Sequence, residues 1–269
     1  MRSRVLADCH GPKFWHSWPA SLGLGNILAK LQGLDFGLLV DPAELAPLRA
    51  ELQALRRIRL CPAIAPAAAA ALQAELTAST DWVRTLRQGG IERELGAQTL
   101  AELAPAHLRA VEQLAVQGDD TVFRFLHDAI RISPVSAERQ ARGWLLDACA
   151  EALNDPATLA LIGELTGEEV RSFRGDATRY LPGHFLTTHN DGRKHGKRVL
   201  AVVLNLSQWH LDWGGLMLFH NAHGAAHCAW TPAFNTLNLF SVPQDHSVTM
   251  VTPLARAPRL TVSGWFYAD

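Results

Sequence analysis

Hydrophobic and polar residues recur with two different periods along this chain of 269 residues. Up to about residue 167 the apolar positions mostly follow helical spacing. Residues 42–55 set leucines three and four apart and end in Arg56-Arg57, the pattern of an amphipathic helix. A short extended piece, residues 57–60, follows. Residues 66–76 are alanine-rich and open on a proline, which the first turn of a helix accepts. Leu72, Leu76 and Trp82 give that segment apolar surface to bury. Residues 99–117 are amphipathic, with Pro105 kinking or dividing them. Residues 122–132 alternate as a strand does. Residues 136–153 predict a helix capped by Ser136, and Asp155-Pro156 opens another that runs to about Thr166.

After Gly167 the period shortens. Residues 170–181, 198–206, 215–219, 237–242, 247–251 and 260–266 are short, apolar and rich in β-branched or aromatic side chains. Turn formers such as Pro182-Gly183, Gly214-Gly215 and Pro232 separate them. Short strands joined by turns, without helices between them, predict a closed or double-sheet β structure. The expected class is α+β: a mainly helical part, residues 1–167, packed on one sheet of a β core, residues 168–269, as one compact unit. No internal repeat or flexible linker divides the two.

Composition narrows the function. Hydrophobic residues make up 48% and charged residues 19%, enough apolar material for a sizeable core. The net charge of −1 and a pI near 6.9 argue against nucleic acid as the main partner. No apolar run is long enough to span a bilayer. Residues 1–18 mix charges with apolar residues, unlike a secretory signal, so the expected location is cytoplasmic. Cys9, Cys61, Cys149 and Cys228 are widely spaced with no Cys-x-x-Cys pair, which predicts four thiols, no zinc knuckle and no disulfide framework.

The candidate chemistry lies in the β part. His189-Asn190-Asp191 places an imidazole and a carboxylate two residues apart, on one side of an extended strand. With His246 from another strand they can hold one face of an octahedral Fe(II) and leave positions open. Arg259 follows in the run Arg259-Leu260-Thr261-Val262; its planar fork suits a carboxylate, and Thr261 faces the same way. A second triplet, His210-Leu211-Asp212, sits between tryptophans just before Gly214-Gly215 and reads as a solvated turn. His220, His223 and His227 cluster, but Gly224 argues against the helix that zinc ligation at that spacing requires; an exposed loop is expected. His184 and His195 flank the candidate site and read as solvated loop residues.

The wider order carries a resemblance. Arg179-Tyr180-Leu181-Pro182-Gly183 and Phe185-Leu186 precede His189 and Asp191. Arg198, Leu204-Asn205-Leu206, Trp209 and Trp213-Gly214-Gly215-Leu216 follow. Pro232, Asn235, Leu237, Phe240, His246, Val248, Arg259 and Gly264-Trp265-Phe266 complete the order. Over about its last third the chain resembles the Fe(II)- and 2-oxoglutarate-dependent dioxygenases, in their prolyl-4-hydroxylase-like branch. The resemblance implies a double-stranded β-helix, or jelly roll, with the metal at its open end. It implies metal-ligand roles for His189, Asp191 and His246, and the clamp on the distal 2-oxoglutarate carboxylate for Arg259. Tyr180, Asn205 and Thr261 are its further co-substrate candidates. It also implies Fe(II), 2-oxoglutarate and O2 as cofactors, with ascorbate as an accessory reductant. Asp191 stands where a halogenase of this superfamily leaves a position open for halide, so a hydroxylase is expected. The expected substrate is a prolyl residue in a protein, with a free amino acid or small metabolite as the rival. A non-catalytic, cupin-like metal-binding barrel is the reading outside enzymes. Specificity is expected from residues 191–197 and the helical part.

Overall fold

The computed structural model describes residues 33–117, 119, 121–192 and 197–269. Residues 1–18, which include Cys9, and residues 193–196, which include His195, lie outside the described residues. Among the described residues twelve strands form one antiparallel sheet: β1 (Arg57–Leu60), β2 (Val83–Gln88), β3 (Ile91–Leu95), β4 (Phe125–Arg131), β5 (Ser172–Tyr180), β6 (Phe185–His189), β7 (Arg198–Asn205), β8 (Met217–His220), β9 (Ala226–Trp230), β10 (Thr236–Ser241), β11 (His246–Val248) and β12 (Arg259–Tyr267). They pair in the order β1-β10-β7-β12-β5-β4-β6-β11-β8-β9, and the β2–β3 hairpin hangs from β4. The path curls over on itself. Ala201, Val203 and Phe240 from its first half pack against Met217 and Phe219 from its second, which makes a jelly roll-like half-barrel. At the two ends of the path, Arg59 of β1 stacks 4.8 Å over the Trp230 ring of β9.

Strand alternation separates the two faces. On β12, Leu260, Val262 and Phe266 point out of the barrel into a core with Leu200, Val202, Leu204, Leu237 and Leu239. Arg259, Thr261, Ser263 and Trp265 take the intervening positions and line the interior. The outer core is covered by α1 (Leu45–Leu55), α2 (Pro66–Ala78), α6 (Leu145–Leu153) and α7 (Pro156–Thr166), which contribute Leu52, Leu72, Leu76, Leu146, Leu153, Ile162 and Leu165. Each such burial stabilises by ~1.5–3 kcal/mol before entropy is counted. The remaining helices are α3 (Ala97–Glu102), α4 (Pro105–Val116) and α5 (Ser136–Arg142). Pro105 divides α3 from α4, as its missing N–H requires.

Several local expectations change. Residues 136–153 form two helices, α5 and α6, because Gly143 turns left-handed between them (φ 68°). Val135, not Ser136, precedes α5, and it makes no side-chain cap bond; the Ser136 hydroxyl instead bonds Glu151 at 3.1 Å. The first part of the chain supplies β1 and β4, as expected, and also the unexpected hairpin of β2 and β3. Cys61 is disulfide-bonded, which corrects the expectation of four thiols; pairing between distant cysteines leaves no mark in local spacing. Cys149 and Cys228 are free. Among the described residues no helix is long and apolar enough to cross a membrane.

Candidate metal centre

β6 ends on His189 and β11 begins on His246, and the antiparallel register sets the two opposite each other. Their ring centroids are 4.2 Å apart. Asp191 joins them by a different device from the one the sequence suggested. It lies beyond the strand, in the left-handed region at φ 58°, which Asp tolerates better than most residues. The Asn190 side chain accepts the Gly192 N–H at 2.9 Å and tightens the turn. The Asp191 carboxylate is thereby placed 3.5 Å from His189 Nε2 and 3.6 Å from His246 Nε2. One ligand atom from each of the three residues lies within 4.8 Å of the others, so together they can hold a metal ion.

The hydrogen bonds fix the tautomers. His189 Nδ1 meets the Thr187 carbonyl at 3.0 Å, and His246 Nδ1 meets the Gln244 carbonyl at 2.7 Å. A carbonyl only accepts, so both Nδ1 atoms carry the hydrogen and both Nε2 lone pairs stay bare. Burial holds both imidazoles below the usual histidine range, His246 at about 4 with the neighbouring His189 adding to the shift; the Asp191 charge opposes it in both. Neutral imidazole is the form that binds a metal. Trp265 Nε1 donates to Asp191 Oδ2 at 2.9 Å, and Arg198 lies 3.7 Å over the Trp265 ring. Phe123 stacks on His189 at 4.4 Å, and Phe240 meets His246 edge-on at 4.7 Å.

A second set of polar groups lines the same interior. Arg259 opens β12 opposite Tyr180 of β5, and both are buried. The Arg259 guanidinium lies 4.9 Å over the Tyr180 ring. Its Nε has no hydrogen-bond partner, and among the described residues no carboxylate pairs with it. Burial lowers its pKa, against the pull of Tyr180; burial pushes the Tyr180 hydroxyl up to about 12. A buried cation without a counter-ion is costly, so this site is chemically incomplete without an anion. Thr261 faces Thr178 on one side and Asn205 on the other, and the two threonine hydroxyls bond each other. Asn205 Nδ2 donates to Thr236 Oγ1 at 3.1 Å, while its Oδ1 is buried and unpartnered. His127 stacks on Tyr180 at 5.5 Å, with Nδ1 also unpartnered.

The other histidines fall as follows. His184 is buried, 2% exposed, which corrects the solvated reading; the turn that carries it folds inward, with Val251 N–H bonding its carbonyl. His210 and Asp212 lie in an exposed turn, as expected. The His220/His223/His227 cluster is a hairpin rather than a loop: His220 ends β8, His227 lies on β9, and only His223 is in the turn. His227 Nε2 sits 3.2 Å from Arg57. Sequence reasoning missed Phe123, His127 and Thr178, which carry no motif; Thr178 was legible only through its pairing with Thr261.

A half-barrel whose interior holds a His-Asp-His cluster beside a buried arginine that no carboxylate among the described residues pairs with fits a metal-dependent enzyme that takes an anionic co-substrate. Residues 175–267 match the family model described as the 2OG-Fe(II) oxygenase superfamily, a match that supports an enzyme and implies Fe(II), 2-oxoglutarate and O2. Its fold is similar to a Pseudomonas putida prolyl-4-hydroxylase (TM-score 0.51, 18% identity, covering 83% of this chain and 99% of that one). It is similar to a Burkholderia pseudomallei oxidoreductase of the 2OG-Fe(II) oxygenase family (TM-score 0.53, 16% identity, 87% and 95%). It is also similar to a Trichoplax adhaerens prolyl hydroxylase solved with a hypoxia inducible factor peptide fragment (TM-score 0.51, 14% identity, 85% and 94%). Comparison with curated proteins gives no match.

Proposed function

We propose that this chain is an Fe(II)- and 2-oxoglutarate-dependent hydroxylase acting on a prolyl residue in a protein. The observation that carries the reading is the convergence of two bare Nε2 lone pairs and the Asp191 carboxylate, in the same interior as a buried guanidinium that lacks an anion. His189, Asp191 and His246 hold Fe(II), a donor set that suits the ferrous ion and leaves positions for a chelating co-substrate. The bound metal supplies O2 activation coupled to conversion of 2-oxoglutarate into succinate and CO2. Arg259 takes the distal carboxylate of 2-oxoglutarate through its planar fork; Thr261, Asn205 and Tyr180 complete that end of the pocket. Trp265 holds Asp191 in place, and the Thr187 and Gln244 carbonyls hold the imidazoles.

The prolyl substrate rests on likeness to the two prolyl hydroxylases named above. A small-molecule substrate is the second reading, favoured by equal likeness to SnoN, a non-heme α-ketoglutarate-dependent epimerase from nogalamycin biosynthesis (TM-score 0.51, 14% identity). Anaerobic titration with Fe(II) and then 2-oxoglutarate, followed by succinate formation against proline peptides and free amino acids, tests both. Binding of each cofactor, with succinate released only in the presence of peptides, is the expected result. Tight zinc binding indifferent to 2-oxoglutarate would sink the oxygenase reading and leave a metal-binding barrel.

A further inference from the structure

Arg87 is the penultimate residue of β2, just before the Gly89-Gly90 turn. Its register partner is Phe125 of β4, which puts it on the same side of the sheet as His127, facing the interior. Its guanidinium carbon lies 5.6 Å over the ring of Phe123, and Phe123 stacks on His189 at 4.4 Å with 29° between the planes. The three side chains form a chain of contacts that starts at the metal cluster and ends in a cation within about 10 Å of the His189 ring.

The surrounding arginines are paired. Arg84 bonds Asp128 and Glu112. Arg131 bonds Asp176 and Glu94. Arg179 bonds Asp128, and Arg198 approaches Asp191. Arg87 is different: among the described residues it has no acidic partner and no hydrogen bond, and its Nε is buried and unpartnered. A half-buried guanidinium held over an aromatic ring has lost part of its hydration, and here its N–H groups make no hydrogen bond among the described residues. Those groups fit a carboxylate.

We infer that Arg87 binds a carboxylate of the substrate, carried by a peptide whose acidic group lies two or three residues from the hydroxylated one. This rests on the oxygenase reading above and adds the charge of its substrate. The reach follows from these two contacts: the cation lies at most about 10 Å from the His189 ring, and an extended peptide, advancing ~3.3–3.6 Å per residue, covers that in two or three residues.

The test uses one set of proline hexapeptides, each made in a Glu and a Gln version at positions two and three residues from proline, with free amino acids as a third arm. Succinate formation is measured for the iron-loaded protein, its R87Q variant and its R87K variant. The wild-type protein is expected to use the Glu peptides with a KM about tenfold or more below their Gln counterparts. R87Q should erase that difference through KM rather than kcat, and R87K should restore part of it. Equal use of Glu and Gln peptides by the wild type, an acidic preference that survives in R87Q, or better use of free amino acids than of either peptide set would overturn the inference. Titration of the wild type with Fe(II) and 2-oxoglutarate separates the two levels: a protein that binds neither has failed the underlying reading, and one that binds both but ignores peptide charge has failed only this one.

Discussion

At the scale of single residues, Trp265 is the one whose loss isolates orientation from ligation. Its indole N–H holds one oxygen of Asp191 at 2.9 Å, while Asp191 itself sits in a left-handed turn with no strand to fix it. Trp265→Phe keeps the ring under Arg198 and removes only the donor. Such outer contacts change metal affinity by ~10–100-fold, so Fe(II) titration of this variant is expected to show weakening of that order with the fold intact by circular dichroism. At the other end of the pocket, Arg259→Gln should raise the 2-oxoglutarate dissociation constant by ~10–100-fold, because a charge-assisted contact contributes ~1.5–3 kcal/mol. Fe(II) affinity should stay near wild type. Equal losses in both titrations would mean that Arg259 shapes the barrel rather than the anion site.

At the scale of elements, strands were more legible than the turns that aim their side chains. Residues 57–60, 198–206, 237–242 and 260–266 were expected as strands from β-branched, apolar runs, and β1, β7, β10 and β12 occupy those places. His189 and His246 were readable because a histidine at a strand end keeps its place in the register. Asp191 was legible as a residue and misread as geometry, since a left-handed turn leaves no periodic trace. The β2–β3 hairpin escaped notice because the Ile91–Leu95 strand is mostly exposed and carries charges at its three central positions. Phe123 and Arg87 escaped with it, as their roles depend on how that hairpin and the loop before β4 come back to the cluster. Two glycines show how tightly the ribbons are drawn together. A Cβ on Gly264 would lie 2.2 Å from the Arg174 carbonyl oxygen, and one on Gly175 would lie 2.3 Å from that of Ser263. Gly264→Ala should therefore cost more than an ordinary overpacking change of ~1–3 kcal/mol. Urea denaturation reads that loss, and a change within 0.5 kcal/mol would refute the close approach.

At the scale of the whole molecule, buried ionisable groups set the response to acid. Burial is the main reason His127 is held at about 3 and His184 at about 4, against a usual value of 6.5. Between those values and 6.5 the unfolded chain takes up protons that the folded chain refuses, so stability rises with pH across that window. The contribution is complete above about 6.5 and is lost on acidification. Asp128 adds to the trend lower down. Burial would raise its pKa, but hydrogen bonding and charge from Arg84, with Arg179, outweigh it. The urea midpoint is expected to fall between pH 7 and pH 5, and a midpoint flat or rising toward acid would contradict the burial of these imidazoles.

The position of β4 carries a consequence for how such a chain can be cut and recombined. It comes from before residue 167, yet it is the strand that joins β5 to β6, and so it keeps the row that carries Arg259 and Tyr180 bound to the row that ends on His189. A fragment starting at residue 168 would contain every ligand and lose the splice between them. Expressed alone it should aggregate or stay unfolded, and a chimera that exchanges the leading segment with that of a relative should work only when the borrowed segment brings its own equivalent of β4. The motif-bearing third of the molecule is thus not a transplantable cassette.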